Sequence, residues 1–151
     1  MFRKMIKYND YDGNEREEPF YFNLNKAEVV KWEGMTSGGL KQLMEKIIQT
    51  KDRAALIKIF EEIIEKSYGE KSPDGKYFRK TPEILENFKS TEAYSVLFME
   101  LASDDEAASE FVNGILPEEL LEAARQAEAE EANANGGEKK LQVYSGNGQV
   151  K

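Results

Sequence analysis

Two stretches of the chain carry the spacing of amphipathic helices. Leu40, Leu43, Met44, Ile47 and Ile48 fall at i, i+3, i+4, i+7 and i+8. Leu56, Ile59, Phe60, Ile63 and Ile64 repeat that spacing, with Ile57 widening the apolar face and Lys58, Glu61, Glu62, Glu65 and Lys66 covering the other side. Asp52 stands where an N-cap belongs, and Gly69 after Tyr68 reads as a left-handed C-cap. Upstream, Asn23 or Asn25 with Glu28 predicts a helix start, with Ala27, Val30 and Trp32 as its greasy side and Gly34 as its stop; Thr36 or Ser37 caps the next helix.

Shorter helices follow. Thr81 with Pro82 at the first helical position opens one near residues 83–88. Ser90 or Thr91 opens another that carries Ala93, Tyr94, Leu97, Phe98 and Leu101 on one face. Asp104 caps a third with Ala107, Ala108, Phe111 and Val112, ended by Asn113-Gly114. Pro117 then opens an Ala/Glu-rich helix whose apolar content falls after Ala124. At the N-terminus, FRKMIKYN and EREEPFYF flank DYDGN, a strong turn signal, so a β-hairpin is predicted, with Met5, Phe20 and Phe22 carrying its alternation. Pro19 cannot donate to a ladder and marks its strand as an edge there. The expected fold class is mainly α (α+β): an N-terminal hairpin and about six helices in one domain over residues 1–132, then a flexible tail over 133–151. No internal repeat of solenoid period is visible.

Composition narrows the chemistry. The chain has no Cys and no His, which excludes disulfides, thiolate zinc sites, imidazole ligands and every nucleophile–His dyad. Residues 1–13 hold no apolar run of signal-peptide length, and nothing later approaches the ~20 apolar residues of a membrane span, so a soluble intracellular chain without a membrane partner is expected. The net charge of −8 is unevenly placed: residues 1–102 carry 17 basic and 18 acidic groups, whereas residues 103–135 carry one basic and ten acidic. An acidic chain is repelled by phosphates, so no nucleic-acid partner is expected.

Candidate motifs dissolve on inspection. Setting Gly13 of DYDGNEREE at the sixth position of a calcium loop puts Tyr8 first and Pro19 twelfth, both wrong for ligation. Of Asp104, Asp105, Glu106 and Glu110, three are contiguous and point in different directions around a helix start, where acids are expected from the helix dipole. In SYGEKSPDGKYFRKTPE, residues 67–83, the glycines miss both phosphate-loop spacings. Its basic and aromatic residues could hold a single strand by charge and stacking, but Glu70, Asp74 and Glu83 offset the charge. The plainer reading is that Ser72-Pro73-Asp74-Gly75 makes a tight turn between helices. No catalytic set, cofactor site or metal site is expected.

The words YDGNER, FYFNL, GEKSPDGK, TEAYSVLFMEL and FVNGILP, taken together, resemble the tail assembly chaperones of long-tailed (siphovirus-type) bacteriophages over roughly residues 5–120. The resemblance implies a non-enzymatic protein of the host cytoplasm that coats the tape measure protein, helps recruit the major tail tube protein and is absent from the finished virion. Many such proteins are made in two lengths by ribosomal frameshifting, and the shorter product would fit here. An apolar client needs an apolar surface; Leu40–Ile48 and Leu56–Ile64 read as core, and Phe111, Ile115, Leu116, Leu120 and Leu121 as the protein-binding surface. The alternative is a structural tail or connector subunit kept in the virion. A homo-oligomer through the edge strand or the late helix is also consistent with the pattern.

Overall fold

The computed structural model describes residues 1–35, 49 and 52–146. The predicted helix over Leu40–Ile48 lies outside the described residues. Two compact units are present, Met1–Pro117 and Glu118–Lys151.

The first unit begins with the expected hairpin. Strand β1 (Phe2–Asn9) pairs antiparallel with β2 (Glu15–Phe22), Phe2 opposite Phe22 and Asn9 opposite Glu15. Asp10 closes the turn by accepting from the backbone N–H groups of Asp12 and Asn14 and from Arg16 Nε at 2.8 Å. These bonds, the guanidinium first, hold its carboxyl down at about 2.

Helix α1 (Lys26–Met35) is opened by a reciprocal capping box. Asn25 Oδ1 accepts from the Glu28 N–H at 2.9 Å, and Glu28 Oε1 accepts from the Asn25 N–H at 3.2 Å. Its buried side is Val29 and Trp32, not the expected Ala27 and Val30, which are exposed. Trp32 donates to Glu62 at 3.2 Å, tying α1 to helix α2 (Arg53–Ser67). Asp52 caps α2 as predicted, accepting from the Ala54 N–H, and Phe60, Ile63 and Ile64 face inward.

The expectation of a helix C-cap at Gly69 and a turn between helices is corrected here. Residues 68–79 form a second hairpin: β3 (Tyr68–Lys71) and β4 (Phe78–Arg79) extend the sheet in the order β1-β2-β3-β4. The Ser-Pro-Asp-Gly turn exists, but at a hairpin tip. Gly75 N–H donates to Ser72 C=O at 2.9 Å with φ +76, a backbone only glycine adopts cheaply, and Asp74 accepts from the Ser72 hydroxyl and the Lys76 N–H. The fold is therefore a mixed α+β arrangement in which a second hairpin joins the expected one.

Helices α3 (Pro82–Lys89), α4 (Glu92–Ser103) and α5 (Asp105–Ile115) complete the unit. Thr81 and Asp104 cap α3 and α5 as their positions predict; Thr91 instead donates its hydroxyl to Phe88 C=O. The inner face of the sheet meets these helices through aromatic rings. Phe22 lies 5.1 Å from Phe111 and 5.8 Å from Phe88, and Tyr68 stacks on Phe88 at 4.1 Å. Phe2 closes the far end edge-on to Phe111. Rings buried this way contribute about 1.5–3 kcal/mol each through lost apolar surface. The second unit holds α6 (Glu118–Gly146), which continues through residues 133–146, where a flexible tail was expected.

Candidate protein-contact surface

The sheet's hydrogen-bond parity sets which groups are open. Asp10 N–H donates to Asn14 C=O, making that pair hydrogen-bonded; alternation then makes Asn9–Glu15, Lys7–Glu17, Met5–Pro19 and Arg3–Tyr21 the pairs whose amides point away from the β1–β2 ladder. Pro19 thus sits where its missing donor faces β3. The β2–β3 ladder holds at Tyr21–Gly69 and Phe22–Tyr68 and continues through Asn23 N–H to Ser67 C=O, but not to Pro19. The edge character read from Pro19 is present, although β2 is an inner strand. Between the diverging β2 and β3 lies a cleft of about 520 Å³ lined by Tyr8, Arg16, Phe20, Glu70 and Phe88 among others.

Parity also sorts the faces. Phe2, Ile6, Phe20, Phe22 and Tyr68 point inward; Arg3, Met5, Lys7, Pro19 and Tyr21 point outward. Met5 therefore does not share a face with Phe20 and Phe22, as the hairpin pattern had suggested. Its true inward neighbour is Ile6, 2 % exposed against 41 % for Met5. Phe78 lies over Gly69 on the outer face, and Lys71 sits 5.8 Å from the Tyr21 ring. The basic residues of the second hairpin lie against its own rings: Lys76 and Arg79 on Tyr77, Lys80 on Phe78.

Lys80 is a structural clamp that the sequence did not announce. Its ammonium donates to Asn23 C=O at 2.5 Å, to Glu28 Oε2 at 2.6 Å and to Lys66 C=O at 3.0 Å. One cation thus joins the exit of β2, the cap of α1 and the C-terminal end of α2, where the helix dipole favours it.

The proposed contact residues divide. Phe111, Ile115 and Leu116 are interior side chains of the first unit, at most 6 % exposed. Phe111 is held between Phe2 and Phe22, and the Ile115 carbonyl accepts from the Leu24 N–H at 2.8 Å. Leu120 and Leu121 belong to the first turn of α6, in the other unit. Among the described residues of the first unit, the large apolar side chains that reach solvent are instead Met1, Met5, Tyr11, Val30, Ile57, Tyr77, Val96 and Met99. Val96 and Met99 lie off the buried Ala93–Leu97–Leu101 stripe of α4, and that displacement was the available signal.

Among the described residues no group of three metal-binding side chains occurs, and no helix is long and apolar enough to cross a membrane. The clear pKa shifts run away from neutrality. Burial pushes Tyr68 up to about 12, the Glu65 carboxylate raises Lys89, and hydrogen bonds from Ser72 and Lys76 lower Asp74. Groups so shifted are not poised to exchange protons near pH 7.

No curated protein and no solved structure matches the chain. The family model for phage tail assembly chaperones matches residues 1–147. That span takes in the whole first unit, with its two hairpins and the Lys80 clamp, and most of the second, and the chain belongs to the phage tail assembly chaperone family.

Proposed function

We propose that this chain holds the tape measure protein in a soluble state in the host cytoplasm, helps bring the major tail tube protein to it, and leaves before the virion is complete. Family membership over residues 1–147 carries this reading. It is supported by a surface that exposes single apolar side chains among many charges, suited to reversible contact with an apolar helical client. An acidic exterior with a net charge of −8 limits self-association and contact with nucleic acid. Contact through Leu120 and Leu121 at the start of α6 belongs to the same proposal. Phe111, Ile115 and Leu116 would take part only if their packing opened.

Co-expression with the tape measure protein of the same phage tests the proposal. A soluble complex that co-purifies, and is absent when either chain is omitted, is the expected result. A tape measure protein that stays insoluble with no complex refutes it. Mass spectrometry of purified particles tests the departure: the chain at stoichiometric level would make it a virion subunit instead.

A further inference from the structure

The outer edge of β1 runs alongside helix α4. Lys4 donates to Glu100 at 2.8 Å, and near the turn end of the first hairpin a cleft of about 580 Å³ is lined by Lys7, Tyr8, Asn9, Asp10, Tyr11 and Gly13 on one side and Glu92 and Val96 on the other. Glu92, Val96 and Glu100 are spaced i, i+4, i+8, so one face of α4 follows β1 along most of its length. The helix shows solvent two apolar side chains beside that line, Val96 at 40 % and Met99 at 61 % exposed.

Among the described residues, no strand pairs with the outer edge of β1. The amides of Arg3, Met5 and Lys7 point there by the ladder's parity. An eight-residue edge with unpaired donors and acceptors is a template for another strand.

We infer that the groove between β1 and α4 takes an extended segment of a partner protein as an added fifth strand, with apolar and acidic residues alternating. Side chains of the added strand on the inner face meet Val96 and Met99, which calls for apolar residues. Those on the outer face lie beside Arg3 and Lys7, which calls for carboxylates. Lys7 is only loosely engaged by Glu17, at 3.9 Å with both side chains at least half exposed, so it is open to a second carboxylate. Charge also argues against a second copy of this chain. Antiparallel self-pairing centred on Met5 would set Arg3 opposite Lys7 twice, and like charges directly opposite are destabilising. The inference deepens the chaperone reading by giving the client contact a place and a chemistry, and rests on that reading only for the partner's identity.

The test uses the full chain and a synthetic peptide of four Glu-Val repeats, with four Lys-Val repeats as the control. Hydrogen exchange followed by NMR is expected to show new protection at the amides of Arg3, Met5 and Lys7 with the acidic peptide and none with the basic one. Lys7→Pro deletes an outward donor without touching the β1–β2 ladder, and Val96→Glu adds charge to an exposed helix position. Each is expected to weaken binding by ~10-fold, the worth of one good hydrogen bond or contact. Circular dichroism melts confirm that both variants stay folded; Lys7→Glu is the second edge variant should the proline disturb the strand. Equal binding of both peptides, protection on β2 instead, or affinity unmoved by the variants overturns the inference. A tape measure complex that forms equally with wild type and Lys7→Pro sinks the groove while leaving the chaperone function standing. Peptide binding without any such complex does the reverse.

Discussion

At Gly69 the second hairpin leaves no room for a side chain. A Cβ there would stand 2.7 Å from Phe78 Cε2 and 2.8 Å from the Arg79 carbonyl oxygen. The ring could swing aside, but the carbonyl belongs to the neighbouring strand and cannot. Gly69→Ala is therefore expected to destabilise the protein by about 1–3 kcal/mol, read as a fall in the chemical-denaturation midpoint. Adding Phe78→Ala should recover no more than part of it; full recovery would mean the ring alone is the obstacle. Lys80→Met keeps the length of the side chain but leaves the part-buried Asn23 carbonyl and the exposed Lys66 carbonyl without this donor, with an expected cost of about 1–3 kcal/mol that comes mainly from Asn23. A loss below ~0.5 kcal/mol would place the clamp among ordinary surface pairs. Tyr68 sets an alkaline limit. Its folded pKa is about 12 against an unfolded 10.0, because burial penalises the phenolate, so the unfolded chain ionises first. The contribution is complete below pH 10 and is lost as pH rises towards 12. Tyr68→Phe should flatten that part of the stability curve, and an unchanged alkaline slope would show that Tyr68 is not its source.

Among the elements, β2 is where one residue decides the outline of the sheet. Pro19 ends the β2–β3 ladder because Lys71, opposite it and next after Gly69 to bond to β2, would need a donor that proline lacks. Pro19→Thr restores it. The ladder should lengthen by one pair, narrowing the cleft of about 520 Å³, and the amide gained by the substitution should exchange slowly. Free exchange of that amide would show that the strands diverge for another reason. The same element shows what the sequence could and could not display. Helix starts were legible at Asn25, Asp52, Thr81 and Asp104, since each cap bonds to an amide two or three residues away. Strands β3 and β4 were not legible. They span four and two residues, too few to show alternation, and β3 is a strand only because β2, more than forty residues earlier, offers Tyr21 and Phe22. Before that partner is known, Tyr68-Gly69 after a long helix looks like a cap. The contact residues failed for a related reason. Phe111 and Ile115 looked available because the groups that cover them, Phe2, Phe22 and the Leu24 amide, belong to the first two dozen residues of the chain.

For the whole molecule, the question is whether stability resides in the first unit. Its core closes with Ile115 and Leu116, and the Leu24–Ile115 bond ties the end of α5 back to the exit of the hairpin. Beyond Pro117 the chain is a 29-residue helix in a separate unit, with apolar content that thins after Leu121. A helix of such composition gains little from its own side chains, since helical stability in water comes mainly from packing an apolar face. A chain ending at Pro117 should therefore melt cooperatively within about 5 °C of the full chain, a shift worth about 1 kcal/mol. A chain ending at Asn113 should not fold, because it loses Ile115, Leu116 and the acceptor for Leu24. The same two truncations separate fold from function. If Leu120 and Leu121 belong to the client surface, the chain ending at Pro117 keeps its melt and its binding of the Glu-Val peptide, yet recovers less tape measure protein in the soluble fraction. Undiminished recovery would assign the client contact to the first unit alone. A collapsed melt would show instead that α6 is part of what holds that unit together.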